Sequence, residues 1–431
     1  MDTDLVIVGA GAAGIGAAKA ARRLGLDHVV LEASHRIGGR AYTEHPAPGV
    51  SFDLGCHWLH SASRNPLTQL LSPFGMNVKK SWDWRSNIFR NGRWIDGSKA
   101  REFELEAMDS VFDMAERGED VAAWDAYDPD SEWAPLVDYW ISLNHSADPD
   151  QVSIRDARDY EETGEHQDWP VKQGLGTLLA RFGANVPVRL NTAVQRIDYS
   201  GRKVVVKTTV GDICAAHVLV TVSTGILNAG DIDFVPALPE WKQNAIADIP
   251  LGNHNRICLL FDREVLGDYT KDTATYFDDE DPPMNFTIRP FGFNYAVAVT
   301  GGRFADWLER AGQQASVDYA RDRLVRMFGS DAGKYITGSI VTAWRGDPWI
   351  RGAYSSVRPG AYGARALLSR PVDERIFFAG EATSGNFMCT AHGAYISGVR
   401  EAMQIAGATS GESQIGVDAQ ALAWTLASVR S

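Results

Sequence analysis

The alternation of apolar runs and polar turns at the start of the chain predicts a compact β-α-β unit. Residues 6–8 form an apolar run typical of a buried strand, and a cluster of glycines follows it directly. The alanine-rich segment 15–24 predicts a helix, and the apolar run 28–32 predicts a second strand. A strand, a glycine turn, a helix and a strand in this order are typical of a nucleotide-binding fold.

Further along, the period of the pattern changes twice. Residues 65–168 read as mostly helical, with irregular loops that are rich in tryptophan and acidic side chains. Short apolar runs with a strand-like pattern then return. The predicted later strands are 188–190, 193–197, 203–207, 217–222, 255–261, 294–300 and 376–381, and the predicted later helices are 316–328 and 393–406.

This pattern predicts two discontinuous domains in an α/β fold. One is a Rossmann-like nucleotide-binding domain, and the other is an α+β domain that combines the helical region with a second sheet. The predicted boundaries are 1–64, 170–250 and 351–410 for the first domain, 65–169 and 251–350 for the second, and 411–431 for a C-terminal tail.

Composition and charge narrow the class of partner but do not choose a function. The chain has 431 residues, of which 45% are hydrophobic and 23% charged, and its net charge is −13. An acidic balance argues against nucleic acid and permits a cationic ligand. Because neither a secretory leader nor an apolar run of membrane-spanning length is visible, we expect a cytoplasmic protein without a membrane partner. The four cysteines lack metal-ligand spacing, so no metal site is predicted.

The glycine cluster supplies the chemistry of a dinucleotide site. Glycines allow a tight turn and a close approach of the backbone to a pyrophosphate, while a carboxylate after the second strand binds a ribose. A helix that begins at such a turn points its positive dipole end at the phosphates. The candidate residues of this part are Gly9, Gly11, Ala13, Gly14, Glu32 and Ala33.

A second glycine-rich loop follows the carboxylate, and it carries two arginines that can pair with phosphate oxygens. The loop residues concerned are Arg36, Gly38, Gly39 and Arg40. The spacing E-x-x-x-R-x-G-G-R-x-x-T resembles that of the flavin-containing amine oxidase family, in which this motif binds FAD. The resemblance implies FAD as the cofactor and a two-domain architecture of the amine oxidase and p-hydroxybenzoate hydroxylase type.

The C-terminal motif F-A-G-E-A-T, followed by T-A-H-G-A-x-x-S-G-x-R-E-A, strengthens this resemblance. It is similar to the branch that contains polyamine oxidases, spermine oxidases and histone lysine demethylases. The resemblance implies that Glu381 contacts the ribityl and phosphate part of FAD and that the backbone near Ala391 meets the flavin ring. Other cofactor contacts implied in the same way are Gly55, Cys56, His57, Trp58, Val194, Trp344, Trp349, Gly380 and Thr390.

Candidate substrate contacts come from two further motifs. In the segment D-L-G-C-H-W-L-H, which resembles D-x-G-A-x-W-I-H in the family, the last histidine is His60. A neutral imidazole at this position accepts a hydrogen bond from a substrate amine and keeps it unprotonated. The segment W-R-G-D-P-W-I-R-G-A-Y-S offers aromatic walls for an amine. The candidate walls are Tyr354, Trp349 and Trp58, Thr390 lies at a second aromatic position of relatives, and Glu162 and Asp168 are candidates for a distal ammonium.

Arg256 is the main departure from the family, which typically has a lysine at this position. Arginine keeps the charge, but its planar guanidinium has a different geometry and very rarely loses its proton. It therefore either supports the flavin or binds an anionic group of the substrate. The second possibility opens a substrate class beyond simple polyamines.

The resemblance implies an FAD-dependent amine oxidase that acts on polyamines or related amines, with O2 as the oxidant and H2O2 as a product. Two alternatives remain open: an oxidase of L-amino acids or other carboxylated amines, and a non-enzymatic FAD-binding redox partner or scaffold. A histone demethylase is not expected, because neither an extra N-terminal domain nor a long antiparallel helical insertion is visible. The oligomeric state is expected to be a monomer or a homodimer.

Overall fold

A computed structural model describes residues 2–82, 87–163, 167–266, 268–279, 281–385, 387–410 and 418–428. The side chains of residues 161–163, 409 and 410 lie outside the description, and so does the predicted contact Glu162. The strands are β1 Asp2–Val8, β2 His28–Leu31, β3 Thr43–Ala47, β4 Val50–Asp53, β5 Trp58–Leu59, β6 Asn87–Arg90, β7 Arg93–Asp96, β8 Trp169–Pro170, β9 Val188–Arg189, β10 Val194–Asp198, β11 Val204–Thr208, β12 Gly211–Val220, β13 Asp233–Val235, β14 His254–Phe261, β15 Thr273–Phe277, β16 Met284–Ile288, β17 Tyr295–Gly301, β18 Ile336–Val341 and β19 Ile376–Phe378. The α-helices are α1 Ala12–Arg23, α2 Ser98–Glu116, α3 Ala134–His145, α4 Ile154–Thr163, α5 Leu175–Gly183, α6 Thr224–Ala229, α7 Glu240–Ala247, α8 Gly302–Ala311, α9 Gln313–Phe328, α10 Ser330–Lys334, α11 Ala364–Ser369, α12 Ala391–Ser410 and α13 Ala419–Ala427.

The first sheet is built around β1, whose apolar side chains are buried on both faces. Its strand order is β13-β10-β11-β12-β1-β2-β9, and β19 also pairs with β12. Strands β2, β12 and β19 run parallel to their partners near β1. Parallel strands whose both faces are covered form the open α/β architecture that the opening of the sequence predicts, so the predicted Rossmann-like fold is confirmed.

Helices α1 and α12 cross in close contact beside this sheet because glycines remove the side chains between them. A Cβ atom added to Gly16 would lie 2.5 Å from the carbonyl oxygen of Tyr395, and one added to Gly398 would lie 1.9 Å from that of Ala13. Both helices begin at residues that line the same cavity. Their packing therefore aims two helix N-termini at one ligand site.

The C-terminal segment differs from the tail that the sequence predicts. Helix α13 begins after Asp418, whose carboxylate accepts a hydrogen bond from the N–H of Gln420. Ala423 and Ala427 are fully buried in the core of the first sheet's helices, and the hydroxyl of Tyr395 donates to the carbonyl of Ala423. These small apolar residues make α13 a layer of that core.

The second sheet has the order β18-β14-β17-β16-β15-β6-β7. Its last two strands come from the region predicted to be mostly helical, so this expectation needs a correction. Residues 87–96 form a β-hairpin that pairs with β15 through β6. Ile88 and Phe89 are buried in this hairpin, and cross-strand burial outweighs the helical character of the surrounding segment.

Helices α2, α3 and α4 cover one side of the second sheet. Their apolar faces share a core that includes Val111, Val137 and Ile141. Residues 98–112 of α2 and residues 137–145 of α3 contribute side chains that line the cavity described below. Among the described residues, no helix combines the length and the apolar character that crossing a membrane requires.

Candidate active site

One cavity of about 1650 Å³ runs from the glycine turn after β1 to the helical layer around α2. It is lined by residues of both sheets, so the two parts of the chain build it together. The predicted site residues that line it are Gly9, Gly11, Ala13, Glu32, Ala33, Arg36, Gly38, Gly39, Arg40, Gly55, Cys56, His57, Trp58, His60, Asp168, Val194, Arg256, Trp344, Trp349, Tyr354, Gly380, Glu381, Thr390 and Ala391.

The glycines of the first turn have distinct roles. Gly9 has a φ of +106°, and a Cβ atom there would lie 2.6 Å from the Thr221 hydroxyl. Gly11 faces open space, with no atom within 4 Å of an added Cβ atom. Gly14 does not line the cavity, because a Cβ atom there would meet the carbonyl oxygen of Gly9 at 1.9 Å. It was predicted as a cofactor contact, but it instead lets α1 pack against the turn.

Helix α1 begins without a side-chain cap at its N-cap residue, Gly11. Its first N–H groups therefore point to the cavity without a hydrogen-bonding side chain. The carboxylate of Glu32 accepts hydrogen bonds from the N–H groups of Ala10 at 2.8 Å and Ser34 at 2.9 Å. These bonds hold the carboxylate at the cavity wall, where its remaining lone pairs face a ribose-sized ligand.

The second glycine loop is tied to the first by backbone contacts. The N–H of Gly38 donates to the carbonyl of Ala10 at 2.8 Å. The guanidinium of Arg36 donates to the carbonyl of Gly39 at 2.8 Å and lies 4.1 Å from the ring of Tyr42. Burial lowers the pKa of Arg36. The side chain of Arg36 thus holds the loop through the Gly39 carbonyl, and its charge lies at the cavity wall.

Arg40 and Glu381, which are 341 residues apart, form an ion pair at 2.9 Å in the cavity wall. Glu381 also accepts from the hydroxyl of Ser355 at 2.7 Å, and Ser355 accepts from Arg365 at 2.7 Å. Arg365 completes the network with two bonds to Asp156 at 2.7 and 2.9 Å. Burial alone would raise the pKa of Glu381, but the charges of Arg40 and Arg365 keep it lowered.

The cavity fits FAD on these observations. The uncapped start of α1, the space that a Cβ atom at Gly11 would fill, and the charge of Arg40 suit a pyrophosphate. The start of α12 lies in the same cavity and suits the electron-rich end of a flavin. Thr390 caps this helix, since its hydroxyl accepts from the N–H of Gly393 at 3.0 Å and donates to Phe387 at 2.7 Å. Its hydroxyl is therefore committed to the helix.

Residues 55–58 form a wall between the two sheets. Gly55 contacts the backbone of Arg40 so closely that an added Cβ atom would lie 1.8 Å from its carbonyl oxygen. Burial, aided by Asp53, raises the pKa of Cys56 to about 12, which keeps this thiol neutral. His57 bonds to Asp53 at 3.0 Å, and burial together with the charge of Arg256 lowers the pKa of His57.

His60 and Asp168 meet although they are 108 residues apart, with His60 Nδ1 at 2.8 Å from Asp168 Oδ1. The short strands β5 and β8 pair antiparallel and bring the two residues together. Their side chains are 33% and 26% exposed, so both reach the cavity. Asp168 was predicted as an anchor for a distal ammonium, but its carboxylate is engaged by His60. The pair therefore presents a histidine and a carboxylate to the cavity.

Tyr354 lies in the wall opposite the glycine turn, and it is held by two partners. Its hydroxyl donates to the carbonyl of Leu143 and lies 2.9 Å from Nδ1 of His254. Burial raises the pKa of Tyr354 and lowers the pKa of His254 to about 4, so both groups are neutral near pH 7. Tyr354 therefore offers the cavity a fixed ring rather than a titrating hydroxyl.

Trp349 lines the cavity with a side chain that is 47% exposed. Its backbone N–H donates to the carboxylate of Asp347 at 2.8 Å, which fixes the local turn. The ring of Trp58, by contrast, packs edge-on against Trp82, with centroids 5.1 Å apart, beside His60.

Several functional residues escaped the sequence analysis. His254 precedes Arg256 by two positions on β14, so strand alternation places both on one face. That spacing was a usable signal. Asp156 and Arg365 had no local signal, because they bond each other across 209 residues of the chain.

Two family profiles match the chain. The profile described as flavin containing amine oxidoreductase matches residues 97–406, and one for an NAD(P)-binding Rossmann-like domain matches residues 7–74. The chain belongs to the flavin-containing amine oxidoreductase family. This membership confirms the predicted enzyme class, and with the dinucleotide-binding fold it confirms FAD as the cofactor.

The chain is also similar to individual members of this family. It is 29% identical to human lysine-specific histone demethylase 2 over 93% of its own length and 53% of the relative. It is 27% identical to polyamine oxidase 4 of Oryza sativa subsp. japonica over 92% of its length and 87% of the relative. The chain thus spans about half the length of the histone demethylase and most of the polyamine oxidase.

A solved structure of a redesigned putrescine oxidase has the same fold. The superposition has a TM-score of 0.77 with 18% sequence identity and covers 94% of this chain and 99% of the other. The predicted two-domain amine oxidase architecture is thereby confirmed.

Proposed function

We propose that this chain oxidises small amines, with polyamines, diamines and closely related amines as the leading substrates. The observation that carries the proposal is the hydrogen-bonded pair of His60 and Asp168 in the cavity that also contains the FAD-binding loops. His60, Asp168 and Tyr354 line the same cavity, so a substrate there can reach all three.

The reaction requires an unprotonated amine. FAD, when bound, supplies the acceptor for a hydride from the carbon next to the nitrogen, and its reoxidation by O2 releases H2O2. As the hydride leaves, the nitrogen lone pair forms the C=N bond, so a proton on that lone pair blocks the step. Water then adds to the imine and releases an aldehyde together with ammonia from a primary amine or a shortened amine from a secondary one.

His60 is the residue that handles the amine in this mechanism. Asp168 accepts a hydrogen bond from the Nδ1–H group, and in this tautomer the Nε2 atom carries the lone pair. That lone pair accepts an N–H of the substrate or takes up the proton of an entering ammonium ion. Asp168 is a positioning residue, because it holds the ring and its tautomer.

The surroundings favour the neutral amine as well. Tyr354 and His254 are buried and neutral, and Trp58 adds an apolar surface. The positive charge of Arg256 in the same cavity wall also disfavours an ammonium ion. Release of the substrate proton is therefore assisted by the site as a whole.

Peroxide release by the purified holoenzyme tests the proposal. Putrescine, spermidine, spermine and their N-acetyl derivatives are compared with benzylamine and with a methylated-lysine peptide under air. We expect turnover of at least one polyamine, and loss of the oxidised-flavin absorbance when the same amine is mixed anaerobically. Turnover of the peptide alone would instead assign a protein substrate, and failure of every amine to reduce the flavin would overturn the proposal.

A further inference from the structure

The side chain of Arg256 is a buried cation in the cavity wall. It lies on β14, is 8% exposed, and its guanidinium is 5.3 Å from the ring of Phe52. Its Nη1 donates to the carbonyl of Gly55 over a long 3.5 Å, and its Nε is buried without a hydrogen-bond partner among the described residues. The backbone N–H of Arg256 donates to Thr342 at 2.8 Å and fixes the start of the side chain.

No carboxylate of the described residues forms an ion pair with this guanidinium. The acid that acts on it most strongly, Asp53, is committed elsewhere. Its two oxygens accept from Thr43 at 2.5 Å, from the N–H groups of Leu175 at 3.0 Å and Gly176 at 3.2 Å, and bond His57 at 3.0 Å. A buried charge without a counter-ion is costly, so an anion that enters the cavity gains a strong partner.

We infer that Arg256 is the binding site for a carboxylate group of the substrate, so that the preferred substrates are amines that also carry a carboxylate. A guanidinium fork matches a carboxylate with two parallel hydrogen bonds, which a lysine cannot offer. The Nη1 contact of Arg256 with the Gly55 carbonyl lies at the start of the cavity-lining segment that ends at His60. We therefore expect the amine and carboxylate ends to bind in the same part of the cavity. This inference rests on the proposed amine oxidation.

Matched substrate pairs test the inference in the holoenzyme. Putrescine is compared with ornithine and 4-aminobutyrate, and benzylamine with phenylglycine, by kcat/KM for peroxide release. We expect the carboxylated member to be preferred. In Arg256→Gln the kcat/KM of the carboxylated member falls roughly 10–100-fold, the loss typical of a hydrogen-bonded charged partner, while the kcat/KM of the amine without a carboxylate falls less. Arg256→Lys keeps the charge but lacks the planar guanidinium, so its kcat/KM for the carboxylated member should lie between those of the wild type and Arg256→Gln.

A binding measurement gives a readout that does not depend on turnover. Benzoate is titrated into the oxidised holoenzyme, and the change in the flavin spectrum gives its Kd; benzyl alcohol serves as the uncharged probe. We expect benzoate to bind the wild-type protein and Arg263→Gln, a variant of an exposed arginine just beyond β14. Arg256→Gln, with its FAD content and circular dichroism checked, should bind benzoate at least tenfold more weakly.

The outcomes separate the inference from the proposed function. The inference is overturned if amines with and without a carboxylate are oxidised equally well, or if benzoate binding survives Arg256→Gln. Amine oxidation remains in place in both cases. A lowered flavin reduction potential in Arg256→Gln with unchanged benzoate binding also overturns it, because the charge then serves the reduced flavin. The proposed function is overturned if no amine, with or without a carboxylate, reduces the flavin.

Discussion

Asp168 holds His60 through a hydrogen bond of 2.8 Å between its Oδ1 and the histidine Nδ1. Strands β5 and β8 provide the geometry, because their pairing places Trp58 opposite Pro170 and Leu59 opposite Trp169. His60 directly follows β5, and Asp168 directly precedes β8. The orientation of the candidate catalytic histidine therefore depends on a contact between two distant parts of the chain.

The first prediction concerns this pair. Asp168→Asn replaces the carboxylate that accepts the hydrogen bond from Nδ1–H with a neutral amide, which accepts more weakly and can turn its NH2 group to the ring instead, so the orientation and tautomer of the imidazole are less firmly held. We expect kcat/KM for the best amine to fall roughly 10–100-fold, with the loss mainly in kcat, and to recover in part in Asp168→Glu. Steady-state peroxide kinetics measure it. Asp318→Asn, on the exposed side of α9, is the control and should match the wild type. An Asp168→Asn enzyme with unchanged kcat would remove the positioning role.

The second prediction concerns retention of FAD. Glu381→Gln removes the counter-ion of Arg40 and the carboxylate that Ser355 links to the buried Arg365, so the wall around the cofactor loses its ordered charges. We expect the Kd for FAD to rise roughly tenfold or more. Flavin fluorescence during dilution of the holoenzyme measures the release. Glu106→Gln, on the exposed face of α2, should leave the Kd unchanged, and equal Kd values in both variants would contradict the prediction.

The third prediction concerns the approach of α1 to the glycine turn. In Gly14→Ala the new methyl group would lie 1.9 Å from the carbonyl oxygen of Gly9, so helix and turn must separate. We expect the free energy of unfolding to fall by about 1–3 kcal/mol and FAD binding to weaken. Chemical denaturation measures the first effect. Gly201→Ala, whose nearest atom lies at 3.7 Å, should change stability by less than about 0.5 kcal/mol.

The fourth prediction concerns acid stability. Burial lowers the pKa of His145 and His254 from 6.5 to about 4 and that of His392 to about 3. Above pH 6.5 these histidines are neutral in the folded and unfolded chain alike. Between pH 6.5 and about 4 only the unfolded chain binds their protons, so the free energy of unfolding should fall as the pH falls through this window.

Denaturant titrations at pH 7.5 and 5.5 measure this loss. In His145→Gln one of the protons no longer contributes, so the difference between the two pH values should shrink. His35→Gln, at an exposed position, serves as the matched control and should keep the wild-type difference. A His145→Gln variant with the full wild-type difference would show that burial of His145 does not contribute to acid sensitivity.

The nucleotide part of the molecule could be predicted because its requirements are local. The turn at Gly9 and Gly11, the start of α1 and the carboxylate of Glu32 follow one another within one β-α-β unit. Backbone conformation and helix dipoles demand certain residue types at fixed spacing there. The family, its fold and its cofactor followed from such motifs.

The tertiary structure decided which side chains act together. It paired His60 with Asp168 and Arg40 with Glu381, and it committed the Thr390 hydroxyl to a helix cap. It also left Arg256 buried in the cavity wall without a carboxylate partner among the described residues. Hydrogen bonds and ion pairs depend on distances of a few ångströms, and residues from both sheets reach those distances only when the whole chain is folded.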